Sequence, residues 1–279
     1  WKILIVNSYH EGLAWSDREM EGVRSVLPAD TEFFVEYMDT KRVPYARIEP
    51  LLIELFRLKY SGAHFDAVYA LDDDAYQFVL NHHHDLFPQT PVVFSGVNNF
   101  DPTQLEGHPE ITGVAETIDI EETLRIALRL KPDAQSIVVI TDRTTSGEIN
   151  RRRIEAFADQ NISTIPVVFL DPGQGLTLQE LVDKLEAIST PSIVYYADFF
   201  QDRNGEVLNP EIVMPVVSMA APGPVFVHGD MYLGFGALGG KVNSGFHQGE
   251  TAGKMILRIL NGEDIGAIPV MPTGSNRLM

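Results

Sequence analysis

The order of apolar runs constrains this chain more than any other feature. Short β-rich runs recur at 2–6, 32–37, 67–71, 91–95, 112–115, 136–141, 165–170, 192–197 and 225–227. Most are apolar at nearly every position. They do not alternate a buried face with a wet one, which is the pattern of parallel strands covered on both sides. Between them, helical periodicity predicts helices over 15–27, 47–59, 75–83, 120–130, 147–159, 178–188 and 248–260. The stretch 214–221 suits a helix and a strand equally. Strand–helix alternation of this kind gives an α/β chain with right-handed crossovers. A loop-rich passage, NNFDPTQLEGHPEITGVAE, splits the alternation into two blocks, so two doubly wound lobes are expected. A length of 279 residues accommodates both.

Charge and cysteine narrow the function. With 21 basic against 39 acidic residues, the net charge is −18. Phosphate backbones and anionic membrane surfaces both require a basic face, so neither is expected as a partner. There are 0 cysteines, which excludes disulfides, thiolate metal sites and a cysteine nucleophile. This composition is in keeping with an extracytoplasmic bacterial protein. No apolar run approaches the ~20 residues of a membrane span. The chain opens at Trp1 with no secretory leader, and is read as a mature or trimmed piece.

In doubly wound sheets, ligands bind beyond the carboxyl ends of the strands. The residues placed there are Asn7, Ser8, Tyr9, His10 and, further on, Trp15; Asp72, Asp73 and Asp74; Ser95, Asn98 and Asn99; and Glu116. In the second block they are Asp142 to Gly147, Tyr195 to Phe200, and His228 to Tyr232. Hydroxyls, amides, aromatics and carboxylates with one strong cation, Arg143, suit a small polar or zwitterionic ligand. Asp72 or Asp73 is expected to cap a helix starting near Ala75. Cleft-facing carboxylates for a ligand ammonium are compatible with that role. Three adjacent aspartates rarely converge on one metal. Thr144, Thr145 and Ser146 precede a helix, where backbone N–H groups would take a ligand carboxylate beside Arg143, or where Thr145 or Ser146 serves only as a cap.

Other motifs exclude more than they suggest. Three consecutive histidines, His82 to His84, cannot share one helix face, and read as a solvated helix end. GFGALG (234–239) has the spacing of a dinucleotide fingerprint, but no βαβ unit follows it, so a glycine-permitted crossover is expected instead. There is no nucleophile elbow. No catalytic residue, resident metal or cofactor is assigned.

Several stretches together resemble a known family. ILIVNSYHEGLAWSD, DAVYALDDDAYQFVLNHHHDLFPQTPVVFSGVNNFDP, ITGVAETIDIEETLRIALRLKP, IVVITDRTTSG and IPVMPTGSNRLM are similar to ABC-transporter substrate-binding-protein-like sequences. More narrowly, they resemble the branch that forms extracytoplasmic sensor domains of bacterial histidine kinases and diguanylate cyclases. The resemblance implies a type I periplasmic-binding-protein fold: two Rossmann-like lobes with a ligand cleft between them. The expected division is 1–116, completed by part of about 229–279, and 117–228. The ligand residues it implies, by position, are Ser8, Tyr9, Asp73, Asn98, Glu116, Asp142, Thr144, Tyr196 and Asp198. The residues themselves add Trp15 and Arg143.

The leading expectation is a sensor domain, periplasmic or otherwise extracytoplasmic and membrane-tethered in the full protein. Its ligand would be an amino acid or other amine-bearing metabolite. Its ammonium would meet Asp73, Glu116 or Asp198, with Tyr9, Trp15, Tyr196 or Phe199 over an apolar part. The partner would be a membrane-attached output domain, with a homodimer as an option. One alternative is the solute-binding component of an ABC importer, whose partner is a permease. Another is a metal-dependent enzyme using Asp72–Asp74 and Asp142.

Overall fold

In a computed structural model, the described residues are 1–98, 100–161, 165–271 and 276–279, without the side chains of 159–161. Asn99 of the strand-end set lies outside them. The chain divides into two units, Trp1–Thr117 with Ser244–Ser275, and Ile118–Asn243 with Asn276–Met279.

The first unit holds a five-stranded sheet in the order β2-β1-β3-β4-β5. Its strands are β1 (Lys2–Asn7), β2 (Glu32–Tyr37), β3 (Ala67–Leu71), β4 (Val92–Asn98) and β5 (Ile111–Glu116), all parallel. Successive side chains point to opposite faces, so each strand feeds two cores. Leu4, Val6, Val68 and Ala70 pack under α2 (Tyr45–Tyr60) and α3 (Asp72–Leu86) with Phe56, Phe78 and Val79. Ile3, Ile5, Tyr69 and Val93 face the other way. They pack with Met20 and Val23 of α1 (Ala14–Val26) and with Ala252, Met255 and Ile256 of α8 (Gly245–Leu260). Burial on both faces explains why these runs are uniformly apolar.

The second unit carries a four-stranded parallel sheet in the order β7-β6-β8-β9. The strands are β6 (Ser136–Ile140), β7 (Val167–Phe169), β8 (Ser192–Tyr196) and β9 (Val225–Val227). One face packs against α4 (Ile120–Leu130) and α5 (Thr145–Asn161) through Ile120, Leu124, Ala127 and Ile154. On α6 (Leu178–Glu186) and α7 (Pro210–Ala220), Leu181, Leu185, Val213, Met214 and Val217 are buried. The ambiguous 214–221 is therefore helical. Pro210 starts it at a position where a missing N–H costs nothing.

Of 229–279, expected in part to complete the first lobe, 244–275 join the first unit and 229–243 the second. Gly239 bridges Phe226, and Gly229 bridges Asn243. The backbone N–H of Lys241 donates to the Thr123 hydroxyl at 3.0 Å. The glycine-rich 234–239 leads into no helix. It runs instead to the short pair β10 (Lys241–Val242) and β11 (Arg277–Leu278). A Cβ on Gly239 would lie 2.1 Å from the Met279 carbonyl oxygen. Close backbone approach is the glycine's role there, not phosphate binding.

The contact of α1 with α8 is also made of backbone. A Cβ on Gly249 would lie 1.9 Å from the Glu19 carbonyl oxygen, and one on Gly22 would lie 2.1 Å from that of Phe246. No side chain fits at either of these two points. Gly249→Ala is expected to cost about 1–3 kcal/mol by overpacking, and to lower the melting temperature by roughly 2–4 °C per kcal/mol. An unchanged melting curve would refute this account of the contact.

Candidate functional site

The expected site residues sit at the carboxyl ends of the strands of each unit. In the first unit, β1 runs into Ser8, whose side chain completes another element. Its Oγ donates to the Leu71 carbonyl (2.7 Å) and accepts from the Ala75 N–H (2.8 Å). A serine from β1 therefore meets a free N–H at the start of α3, where an aspartate cap was expected. The helix begins at Asp72, not near Ala75, so Asp72, Asp73 and Asp74 form its first turn. Their negative charge complements the positive helix end.

The three aspartates have separate partners. Asp72 adopts φ 72°, which is uncommon for a residue with a side chain, and accepts from the Tyr9 hydroxyl at 2.6 Å. Asp73 accepts from the backbone N–H of Asn98 (2.8 Å) and from its Nδ2 (3.1 Å). Asp74 faces the Thr40 hydroxyl and the charge of Lys41. The Lys41 ammonium lies 4.5 Å above the Tyr9 ring. Tyr9 and Asn98 thus position two of the carboxylates. Trp15 is buried in α1 beside Gly245, the first residue of α8, and belongs to the contact between those helices.

A further carboxyl group, Glu19 on α1, was not anticipated. It is fully buried and accepts from the Ser95 hydroxyl at 2.6 Å. Ser95 also meets the Tyr69 hydroxyl at 2.6 Å. The register of β4 shifts between Phe94 and Val97, and Gly96 takes φ 70°. This bulge brings the strand up to two carboxylates. A Cβ on Gly96 would lie 3.0 Å from Glu19 Oε1 and 3.2 Å from Asp72 Oδ2. The sequence signal was present but faint: Glu19 shares the buried stripe of α1 with Trp15 and Val23.

Charge is the outstanding property of this surface. Burial, and next the neighbouring Asp72, hold Glu19 well above the usual carboxylate range. Burial raises Asp72 to about 6 against the opposing effects of Tyr9 and Lys41. Burial and then Asp72 raise Asp73 to about 7. Glu116, buried at the end of β5, adds to the repulsion on Glu19. Crowded, desolvated carboxyls hold their protons to higher pH than free ones, and a nearby cation favours their ionisation.

In the second unit, Asp142 follows β6 and is used up internally. One carboxylate oxygen accepts from the Thr144 N–H (3.0 Å) and hydroxyl (2.6 Å). The other accepts from the N–H groups of Phe200 (2.6 Å) and Gln201 (3.2 Å). The Thr144 hydroxyl in turn accepts from the Gly147 N–H at 3.2 Å, capping α5. Asp142 and Thr144 thus tie the β6 and β8 loops together, and the cap is Thr144, not Thr145 or Ser146. Arg143 pairs with Glu148 at 2.6 Å and donates to the Gly173 carbonyl. The anion site expected at this helix start is therefore supplied from within. Asp198 accepts from Asn150 Nδ2 at 2.6 Å, a partner that sequence reading missed. The Tyr196 ring meets Tyr232 edge-on at 5.0 Å, and Phe200 and His228 lie at 6.3 and 5.9 Å from Tyr232. Burial lowers His228 to about 3, so this aromatic group includes a neutral imidazole.

Comparison with known proteins identifies the family. The family model for ABC transporter substrate binding proteins matches residues 73–279. The chain belongs to this family. No curated protein sequence matches it. Among solved structures, it is similar to a conserved domain protein of Vibrio cholerae (16% identity, 100% of this chain and 90% of that one, TM-score 0.67). It is also similar to an ABC domain from Streptococcus pneumonia solved in complex with L-Trp (16%, 99% and 90%, 0.66). A third is an ABC transporter solute binding protein from Agrobacterium vitis with bound D-fucose (12%, 100% and 95%, 0.66). These likenesses show the type I periplasmic-binding-protein fold. No helix among the described residues is long and apolar enough to cross a membrane.

The raised carboxyls make stability depend on pH. An acid whose folded value lies above its unfolded one holds a proton that the unfolded chain releases above about pH 4. The contribution of these groups is therefore greatest at the acid end and falls as pH rises from about 4 through about 6 and 7, the values of Asp72 and Asp73. Glu19→Gln removes one such group while retaining an acceptor for Ser95. The variant should melt above the parent at pH 8, and the difference should shrink towards pH 5. Parallel melting-temperature profiles for the two proteins would show that Glu19 does not hold a proton.

Proposed function

We propose that this chain is an extracytoplasmic receptor for a small amine-bearing metabolite, an amino acid in the simplest case. The observation that carries the reading is the group of crowded carboxyls at the strand ends of the first unit: Glu19, Asp72, Asp73 and Glu116. Lys41 acts on Asp72 and Asp74, and a ligand ammonium would add positive charge beside Asp73 through charge-assisted hydrogen bonds. Asp73, held by Asn98, is assigned the main contact, with Glu116 beside it. Asp198, steadied by Asn150, is assigned a contact in the second unit. The ring group of Tyr196, Phe200 and Tyr232 offers an apolar and aromatic surface for the rest of the ligand. Family membership supports small-ligand binding as the task. That the Streptococcus pneumonia protein was solved with L-Trp is in keeping with an amino acid.

In this reading the chain is the sensor region of a membrane-attached histidine kinase or diguanylate cyclase, and ligand binding shifts a conformational equilibrium that the output domain reads. The family match itself favours a second reading, the solute-binding component of an ABC importer. The two differ in the complete gene. A membrane helix followed by a kinase or cyclase domain means sensing, and an end shortly after Met279 means transport.

The test is a thermal-shift screen of amino acids, amines, purines, sugars and organic acids. A ligand at a hundred times its Kd adds about 2.7 kcal/mol of stability, or roughly 5–10 °C. An amine-bearing class is expected to give the shift. Its affinity should rise from pH 5.5 to 8 as Asp72 and Asp73 ionise, and should fall at least about tenfold in Asp73→Ala and Asp198→Ala. A response confined to sugars, or unchanged affinity in both variants, would overturn the assignment.

A further inference from the structure

At the opposite, amino-terminal edge of the first sheet, imidazoles and a carboxylate gather at the far end of α3. The three consecutive histidines diverge there. His82 turns to Glu49 of α2, with Nε2 and Oε1 3.0 Å apart. His83 is not solvated, as the sequence suggested, but only 1% exposed, and its Nε2 lies 2.7 Å from the Thr90 carbonyl oxygen. A carbonyl only accepts, so Nε2 carries the hydrogen, and in the neutral ring Nδ1 is left with a lone pair. That Nδ1 stands 2.9 Å from Glu110 Oε1, which is also an acceptor. His108 Nδ1 is 3.5 Å from the same oxygen. All three atoms are buried, and none has a hydrogen-bond partner.

We propose that His83, His84 and Glu110 bind a divalent transition-metal ion of the zinc type. One ligand atom from each residue lies within 4.8 Å of the others. A tetrahedral ion with bonds of about 2.0–2.2 Å holds its ligand atoms roughly 3.5 Å apart. The exposed His84 closes that difference by a small side-chain movement. The bond from His83 Nε2–H to a backbone carbonyl is the outer contact that fixes the tautomer of a metal-bound histidine. His84 stacks on His108, with ring centroids 5.3 Å apart and planes 18° apart, which steadies the exposed ligand. Two imidazoles and a carboxylate suit zinc, cobalt, nickel or copper rather than magnesium or calcium. Solvent fills the fourth position. The site would join the last turn of α3 to the segment entering β5. It stands apart from the Asp72–Asp74 turn, which opens the same 15-residue helix about 15 Å away.

The competing account is a protonated His83 paired with Glu110 and no metal. Cobalt distinguishes the two. The untagged chain, stripped with EDTA, is titrated with Co2+ and followed by visible absorption. One equivalent should produce the intense band of tetrahedral cobalt, and one equivalent of Zn2+ should abolish it. His84→Ala and Glu110→Gln, both mild changes for the fold, should weaken binding at least tenfold, while His82→Ala should leave it unchanged. A spectrum that stays that of aqueous cobalt, or a band that persists in both ligand variants, would overturn the proposal.

Discussion

The backbone contact between α1 and α8 is the constraint on which the first unit depends. A parallel sheet needs helices on both faces, and here one face is covered by helices from opposite ends of the chain's order. Glycines bring them so close that the Glu19 carbonyl occupies the space where a Gly249 side chain would be. That approach settles the depth and rotation of α1, and so delivers the Glu19 side chain to Ser95 and the β4 bulge. The charge character of the strand-end surface follows from packing several residues away from it.

A second theme is the division of labour among polar residues that look alike in sequence. Ser8, Asp142 and Thr144 are ligand-like in type and position, yet each completes the frame. Ser8 supplies the start of α3, while Asp142 and Thr144 fasten two loops. Asp73 and Asp198 differ because each is held by an amide side chain, Asn98 or Asn150. An amide can orient a carboxylate through hydrogen bonds without adding a counter-charge.

Much of the fold was legible because burial on both faces leaves an unmistakable mark. The runs over 32–37, 67–71 and 225–227 coincide with β2, β3 and β9, and the helix over 120–130 coincides with α4. Periodicity failed where local chemistry was replaced by something distant. The start of α3 was misplaced because its N–H partner comes from the residue after β1, and the point within 229–279 where the chain returns to the first unit was not located because the bridges of 229–243 reach back to β9. The site was less legible. Strand ends pointed to the right neighbourhoods, but the side-chain partners of the site residues lie from two to seventy-six residues apart. Glu19 was hidden in a helix stripe. His83 was hidden because its partners, Thr90 and Glu110, lie in other segments.

The first unit is interrupted: residues 118–243 are inserted between its sheet and α8. Any chain that emerges amino end first, from a ribosome or a translocation channel, therefore exposes β1 to β5 long before their second covering helix exists. At about 5–20 residues per second, the intervening 126 residues impose a wait of roughly 6–25 s. During that time Ile3, Ile5, Tyr69 and Val93 have α1 over them but not α8. The second unit, nearly complete within its own stretch of chain, is free to fold first. Mature order is thus reached from the inside outwards, with the earliest-made sheet finished last.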